Sequence, residues 1–144
     1  MREYRAQGIE KDLLAAAHKA RELAYTPYSH FRVGAALLTE EGEIVGGCNI
    51  ESAAYAPTNC AERTAVFKAV SEGKRAFRMI AVTGGPEGQD GSFCPPCGVC
   101  RQVLREFVDP KIFRILLDGP EGYVREYTLE ELLPESFGPE NLTL

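Results

Sequence analysis

Asn59-Cys60-Ala61-Glu62-Arg63, answered downstream by Pro96-Cys97-Gly98-Val99-Cys100-Arg101-Gln102, places three thiols in two clusters, with a carboxylate two residues after the first thiol. Each cluster falls where a loop enters a helical pattern. Cys97 and Cys100 stand at i and i+3 on one face of a helix beginning at Cys97, a start that Pro95 and Pro96 favour. The first turn of a helix has unpaired N–H groups and a partial positive charge, which favours thiolate over thiol. Cys60 has the same advantage at the front of its own helix. Three thiolates with an open fourth position make the donor set of a catalytic zinc centre. Two helix N-termini soften the net charge of about −1 that such a centre carries, and Arg63 can add to this by donating to a ligand sulfur.

Outward from these motifs, the helix from Cys60 runs to about Glu72, carries Ala61, Ala65, Val66, Ala69 and Val70 inward and stops at Gly73. The helix from Cys97 ends near Phe107, before Asp109-Pro110. Upstream, Ile9, Leu13, Leu14, Ala17, Ala20 and Ala24 recur at helical spacing, predicting a helix from residue 8 to about 25 that stops before Pro27. Phe31 to Leu38 and Ile44 to Asn49, separated by Thr39-Glu40-Glu41-Gly42-Glu43, read as a hairpin. Residues 51–58 are loop, Phe77 to Thr83 a strand, and the Gly- and Pro-rich stretch Gly84 to Pro96 loop. Ile112 to Leu117 and Tyr123 to Tyr127 are two further strands. Thr128-Leu129-Glu130-Glu131 has the form of a capping box opening a short helix halted by Pro134. The order α-β-β-α-β-α-β-β predicts an α/β fold, a three-layer α/β/α sandwich around a mixed five-stranded sheet.

A length of 144 residues, 44% of them hydrophobic, fits a single domain spanning 1–144. A net charge of −5, with no basic run to override it, argues against polymeric nucleic acid as a partner. No apolar stretch approaches the roughly 20 residues that span a bilayer, so no membrane partner is expected. Met1-Arg2-Glu3-Tyr4-Arg5 lacks the apolar core of a secretory signal, and the expected location is cytoplasmic. In a reducing compartment five cysteines are better explained by metal or catalysis than by disulfides.

Several residues admit two readings. With Asn59 as N-cap, Glu62 occupies the capping-box position and reaches back to the cap N–H. Alternatively, lying two residues after a metal ligand, it sits beside the fourth metal position and takes a proton from water there. Cys94 overlaps Cys97 in a Cys-x-x-Cys pattern, so a closed four-cysteine structural site or a redox pair are alternatives to the open site. Because Cys94 precedes two prolines and the helix start, its side chain is expected to point away from the other pair. His18 and His30 have no partner at metal-ligand spacing, and Cys48 reads as a small buried residue.

Cys60-Ala61-Glu62 with Pro96-Cys97-x-x-Cys100 resembles the signature of the zinc-dependent nucleoside deaminases, in particular the small three-cysteine cytidine deaminases. Tyr28-Ser29-His30-Phe31-Arg32-Val33-Gly34-Ala35-Ala36 and Gly47-Cys48-Asn49-Ile50-Glu51-Ser52-Ala53-Ala54-Tyr55 strengthen the likeness, which runs from about Leu13 to Phe137. The resemblance implies one zinc per subunit on Cys60, Cys97 and Cys100, with Glu62 shuttling protons during hydrolytic deamination of cytidine and deoxycytidine. It further implies that Asn49 and Glu51 bind ribose hydroxyls, that Phe31 lines the base pocket and that the Ala61 N–H meets the base carbonyl, whereas without it Asn49 and Glu51 read as solvated residues at a strand edge and Phe31, ahead of the strand Val33 to Leu38, as core. Phe137 would reach a neighbouring subunit's site in a homotetramer. A free pyrimidine nucleoside is then the substrate. A deaminase of an aminonucleoside antibiotic such as blasticidin S shares the core motifs, and the Arg63 and Asn49/Glu51 segments favour cytidine.

Overall fold

Every side chain of Ala35-Ala36-Leu37-Leu38 is buried, as a strand covered on both faces requires. Ala35 and Leu37 join one apolar core while Ala36 and Leu38 join another, the period of two expected of a strand separating two layers. In the computed structural model, which describes residues 1–142, this segment belongs to β2 (Phe31–Thr39). With β1 (Arg2–Arg5), β3 (Ile44–Cys48), β4 (Phe77–Pro86), β5 (Arg114–Asp118) and β6 (Tyr123–Thr128) it forms one sheet, in the order β1-β6-β5-β4-β2-β3. β4 and β5 are parallel and the other neighbouring pairs antiparallel.

Helix α1 (Ile9–Arg21) covers one face through Leu13, Leu14 and Ala17. Helices α2 (Ala61–Ser71), α3 (Gly98–Phe107) and α4 (Leu129–Leu132) cover the other, where Ala65, Val66, Leu104 and Leu129 meet Ile80, Val82, Ile115 and Leu117. The three-layer sandwich is therefore present. Thr128 caps α4 with the reciprocal Thr128/Glu131 bonds of a capping box. Among the described residues, no helix is long and apolar enough to cross a membrane.

The sheet has six strands where the sequence reading gave five. β1 pairs with β6 in register from Arg2↔Glu126 to Arg5↔Tyr123, and is held by polar groups rather than by apolar alternation. Tyr4 donates to Glu126 at 2.6 Å, and the Arg5 guanidinium lies over the Tyr123 ring. Helix α1 stops earlier than predicted, because the chain turns to pair Tyr25 with the segment after β3. The Tyr25 N–H donates to the Asn49 carbonyl and the Glu51 N–H to the Tyr25 carbonyl. β4 is longer than predicted: Gly84, Gly85 and Pro86 pair with Val33, Arg32 and Phe31 instead of entering the loop. β5 begins at Arg114, two residues after the predicted start.

Two glycines set how closely the layers approach. A Cβ on Gly34 would collide with the Ala17 carbonyl of α1, and one on Gly47 would lie 2.5 Å from the Ala65 nitrogen and 2.7 Å from the Ala61 oxygen of α2.

Candidate active site

Asn59 and Ile50 exchange backbone hydrogen bonds, the Ile50 N–H to the Asn59 carbonyl at 3.0 Å and the reverse at 2.9 Å. That pairing keeps Asn59 outside α2, and Cys60, with extended φ −73° and ψ 156°, becomes the N-cap. The helix thus begins one residue later than the capping-box reading required. Glu62 falls at the second helical position rather than the third, and no side-chain cap bond forms. Its carboxyl is buried, with 4% of the residue exposed. Burial, followed by the negative charge of Cys60, pushes the Glu62 carboxyl up to about 7. A carboxyl in that range can hold and release a proton near neutrality.

The second motif arrives in the same way. Cys97 is the N-cap of α3, its sulfur accepting from the Cys100 N–H, so Cys60 and Cys97 each stand at a helix N-terminus. The Cys60 and Cys97 sulfurs are 3.7 Å apart, those of Cys97 and Cys100 3.5 Å, and all three lie within 4.8 Å of one another. Tetrahedral zinc with Zn–S bonds near 2.3 Å requires sulfurs about 3.8 Å apart, so the trio fits that ion. The Arg63 Nη2 donates to the Cys60 sulfur at 3.3 Å, as its place in the sequence suggested. As a trio of thiols, Cys60 is pushed down to about 5 by its hydrogen bond from Cys100, with Arg63 and Cys97 adding to the effect against the cost of burial. Cys100 is pushed upward by the same hydrogen bond and by burial.

Cys94 is not part of this metal-sized cluster, and packs where a Cβ on Gly84 would meet its sulfur at 2.8 Å. Neither histidine joins it. His18 Nε2 pairs with Asp118 at 2.7 Å, and His30 lies 3.4 Å from Glu87. Cys48 is half-buried at the end of β3, and its thiol is pushed up by burial.

The residues expected to contact substrate come from β2, the segment after β3, α2 and the stretch after α4. The Asn49 side chain bridges the start of β2, accepting from the Val33 N–H at 2.8 Å and donating to the Phe31 carbonyl at 2.9 Å. Glu51 accepts from the N–H groups of Tyr28 and Ser29 and from the Ser29 hydroxyl, which holds its carboxyl below the ordinary range. Sequence reasoning assigned Ser29 no role, although it orients Glu51 and its oxygen accepts from the Phe31 N–H at 3.0 Å. The signal was its place in a loop before a strand, where a hydroxyl commonly bonds backbone. Phe31 is exposed rather than core, Ala61 is buried in the first turn of α2, and Phe137 is exposed near the C-terminus.

Residues 8–115 match the family model described as the cytidine and deoxycytidylate deaminase zinc-binding region. A cytidine deaminase of Sporosarcina psychrophila is 51% identical over 135 residues, covering 94% of this chain and 95% of the relative. One from Halalkalibacterium halodurans is 48% identical over 130 residues, covering 90% and 95%. The crystal structure of cytidine deaminase from Burkholderia pseudomallei superposes with a TM-score of 0.81 at 44% identity, covering 90% of this chain and 100% of that one. Matched along nearly its whole length in sequence and in fold, this chain belongs to the zinc-binding cytidine and deoxycytidylate deaminase family.

Proposed function

We propose that the chain hydrolyses the exocyclic C–N bond of cytidine and deoxycytidine, giving uridine or deoxyuridine and ammonia, in pyrimidine salvage. The observation that carries this reading is a buried carboxyl, Glu62, on the first turn of the helix whose N-cap is Cys60, beside three sulfurs spaced for one metal ion. Zinc held by Cys60, Cys97 and Cys100 would supply Lewis-acid activation of water near neutral pH. Glu62 takes a proton from the attacking water and delivers it to N3 of the cytosine ring, making C4 electrophilic. Once oxygen has added to C4, the carboxylate left by transfer to N3 takes the remaining proton of the new C4 hydroxyl and hands it to the amino group; the C4–O double bond forms as the C4–N bond breaks, and ammonia leaves. One water is consumed and no redox partner is needed.

The remaining assignments follow the resemblance. Asn49 and Glu51 hold the ribose hydroxyls, supported by the bonds that fix both side chains in place. Phe31 lines the base pocket and the Ala61 N–H, in the first helical turn, donates to the base carbonyl. Arg63 offsets charge on the ligand sulfurs. The chain is one catalytic domain over 1–144, located in the cytoplasm. It assembles as a homotetramer in which Phe137 completes a neighbouring subunit's site.

The test is absorbance of purified protein mixed with cytidine, beside zinc analysis. Glu62→Gln should retain the metal and the fold while losing about 10²–10⁴-fold in turnover, and Cys94→Ser should retain both metal and activity. Parental turnover by Glu62→Gln, or zinc loss from Cys94→Ser in a protein that leaves cytidine untouched, would refute the reading. Faster turnover of blasticidin S than of cytidine would move the assignment to the antibiotic deaminases.

A further inference from the structure

Near its C-terminus the chain is clamped to α3 while the large apolar side chain of Phe137 is left in solvent. Arg105 of α3 is buried, with 8% of the residue exposed. Its Nε donates to the Ser136 hydroxyl at 2.8 Å and its Nη2 pairs with Glu140. One turn earlier on α3, the Gln102 amide donates to the Phe137 carbonyl at 2.9 Å. Gly138 lies directly against the guanidinium, where a Cβ would strike Arg105 Cζ, and its N–H is closed off by Asn141 at 2.8 Å. Residues 136, 137 and 138 are each fixed by α3, the helix that also carries Cys97 and Cys100 at its front. Yet Phe137 itself is 57% exposed. Ordering backbone costs entropy and burying a guanidinium costs hydration, so a clamp whose product is a presented aromatic ring implies a target outside its own fold.

We propose that Arg105 is a positioning residue: with Gln102 and Gly138 it fixes the direction in which Phe137 is offered to a nucleoside in the site of a second copy of this chain. This rests on the reading that Phe137 enters a neighbouring site. The guanidinium is needed because its fork reaches Ser136 and Glu140 at once while its flat face accepts Gly138, and an ammonium has neither fork nor face.

The test is steady-state kinetics with cytidine on the zinc-loaded full-length protein, comparing Arg105→Lys, Gly138→Ala, Phe137→Ala and the double variant Arg105→Lys/Phe137→Ala. Each single change should raise KM about tenfold, leaving kcat within about twofold and the zinc content unchanged. The double variant should match Phe137→Ala alone, because once the ring is gone its direction no longer matters. A parental KM in Phe137→Ala overturns the neighbouring-site reading itself. A raised KM in Phe137→Ala combined with parental KM in Gly138→Ala and Arg105→Lys overturns the clamp alone. So do effects that multiply in the double variant, or a fall in kcat at unchanged KM, the mark of a merely structural residue. If Arg105→Lys fails to fold, Gly138→Ala disturbs the same clamp from the strap side and decides the question.

Discussion

Gly47→Ala should injure both stability and catalysis, and the way it does so can be read from the packing. The new Cβ would sit 2.5 Å from the Ala65 nitrogen, where ordinary contact begins at 3.4 Å, so α2 and β3 must separate by about 0.9 Å. The atoms it meets are helix backbone, which cannot rotate aside as a side chain would. Overpacking of this kind costs about 1–3 kcal/mol, which for a chain of this size lowers the apparent Tm by roughly 2–4 °C per kcal/mol. Catalysis suffers whichever element yields. If α2 moves, Cys60 and Glu62 shift relative to Cys97 and Cys100 on α3, and kcat should fall, by up to about 10²-fold for a displacement near 1 Å. If the edge strand β3 moves, Asn49 and Glu51 shift with it and KM should rise instead. Gly46→Ala is the control, since a Cβ there meets Ala20 Cβ at 3.5 Å, ordinary contact, and should change stability by no more than about 0.5 kcal/mol. Thermal melts and steady-state kinetics on the zinc-loaded protein decide the matter. A Gly47→Ala variant with parental Tm, kcat and KM would refute the claim that this close approach sets the position of the site.

Arg63→Gln removes the donor to the Cys60 sulfur and should weaken zinc about 10–100-fold in competition with a chelator; unchanged affinity would show the contact to be incidental. Glu126→Ala strips the buried partner from Arg114 and should cost about 2–3 kcal/mol in denaturant melts, below the full figure for a buried pair because Arg114 is partly hydrated. Burial works to raise the Glu126 carboxyl, but hydrogen bonds from Arg114 and Tyr4 outweigh it and hold it below the ordinary range. Its contribution is therefore present above the unfolded value near 4.3 and lost as pH falls through the lower folded value, so the parent's advantage over Glu126→Gln should shrink in acid. His18 has the opposite sign: its hydrogen bond with Asp118 raises it against the opposing effect of burial. The stability it adds is complete below about pH 6.5 and is lost as pH rises through the raised folded value, so the Tm gap between parent and His18→Gln should close over the range above it. A gap constant across that range would rule out the ion pair as its source.

The parts of the site that were legible in the sequence are those carried by residue type and local spacing. Cys97 and Cys100 at i and i+3 after two prolines announced a helix front with two sulfurs on one face, and Thr128 with Glu131 announced a capping box that is present. What was illegible depends on partners distant in sequence. β1 reads Arg-Glu-Tyr-Arg, with no apolar alternation to detect, because it is secured by pairing with β6 and by the Tyr4, Glu126 and Arg114 cluster. Gly84-Gly85-Pro86 has turn chemistry, yet the length of β2 gives it a partner strand, and its glycines admit the returning loop, whose Ser92 N–H donates to the Gly84 carbonyl. The N-cap of α2 moved from Asn59 to Cys60 because Ile50 captures the Asn59 backbone. That shift separates a capping glutamate from one left available for proton transfer. The bonds that Asn49 and Glu51 make to the 28–33 segment, and the grip of Arg105 on residues 136–140, likewise join segments whose spacing carries no signal.

Topology explains why two motifs far apart in the chain share one ion. β3 and β4 are both antiparallel to β2, so they run in the same direction. Each leads into a helix, α2 after β3 and α3 after β4, and both helices pack on the same face of the sheet. Two helices that follow like-directed strands onto one face must begin at the same end of the sheet, and their N-termini meet there. Cys60 and Cys97 occupy those two N-caps, and Cys100 lies one turn into the second. The arrangement also suits the charge. Three thiolates around a divalent ion leave about one negative charge, and two positive helix ends together with Arg63 face it. A closed structural centre would need a fourth protein ligand at this junction, but Cys94 lies back against Gly84, and His18 and His30 pair with Asp118 and Glu87. The buried carboxyl of Glu62 interacts with both Cys60 and Cys100 there. Thiolates that bind, fields that favour them and a carboxyl that can carry a proton all follow from where two strands end.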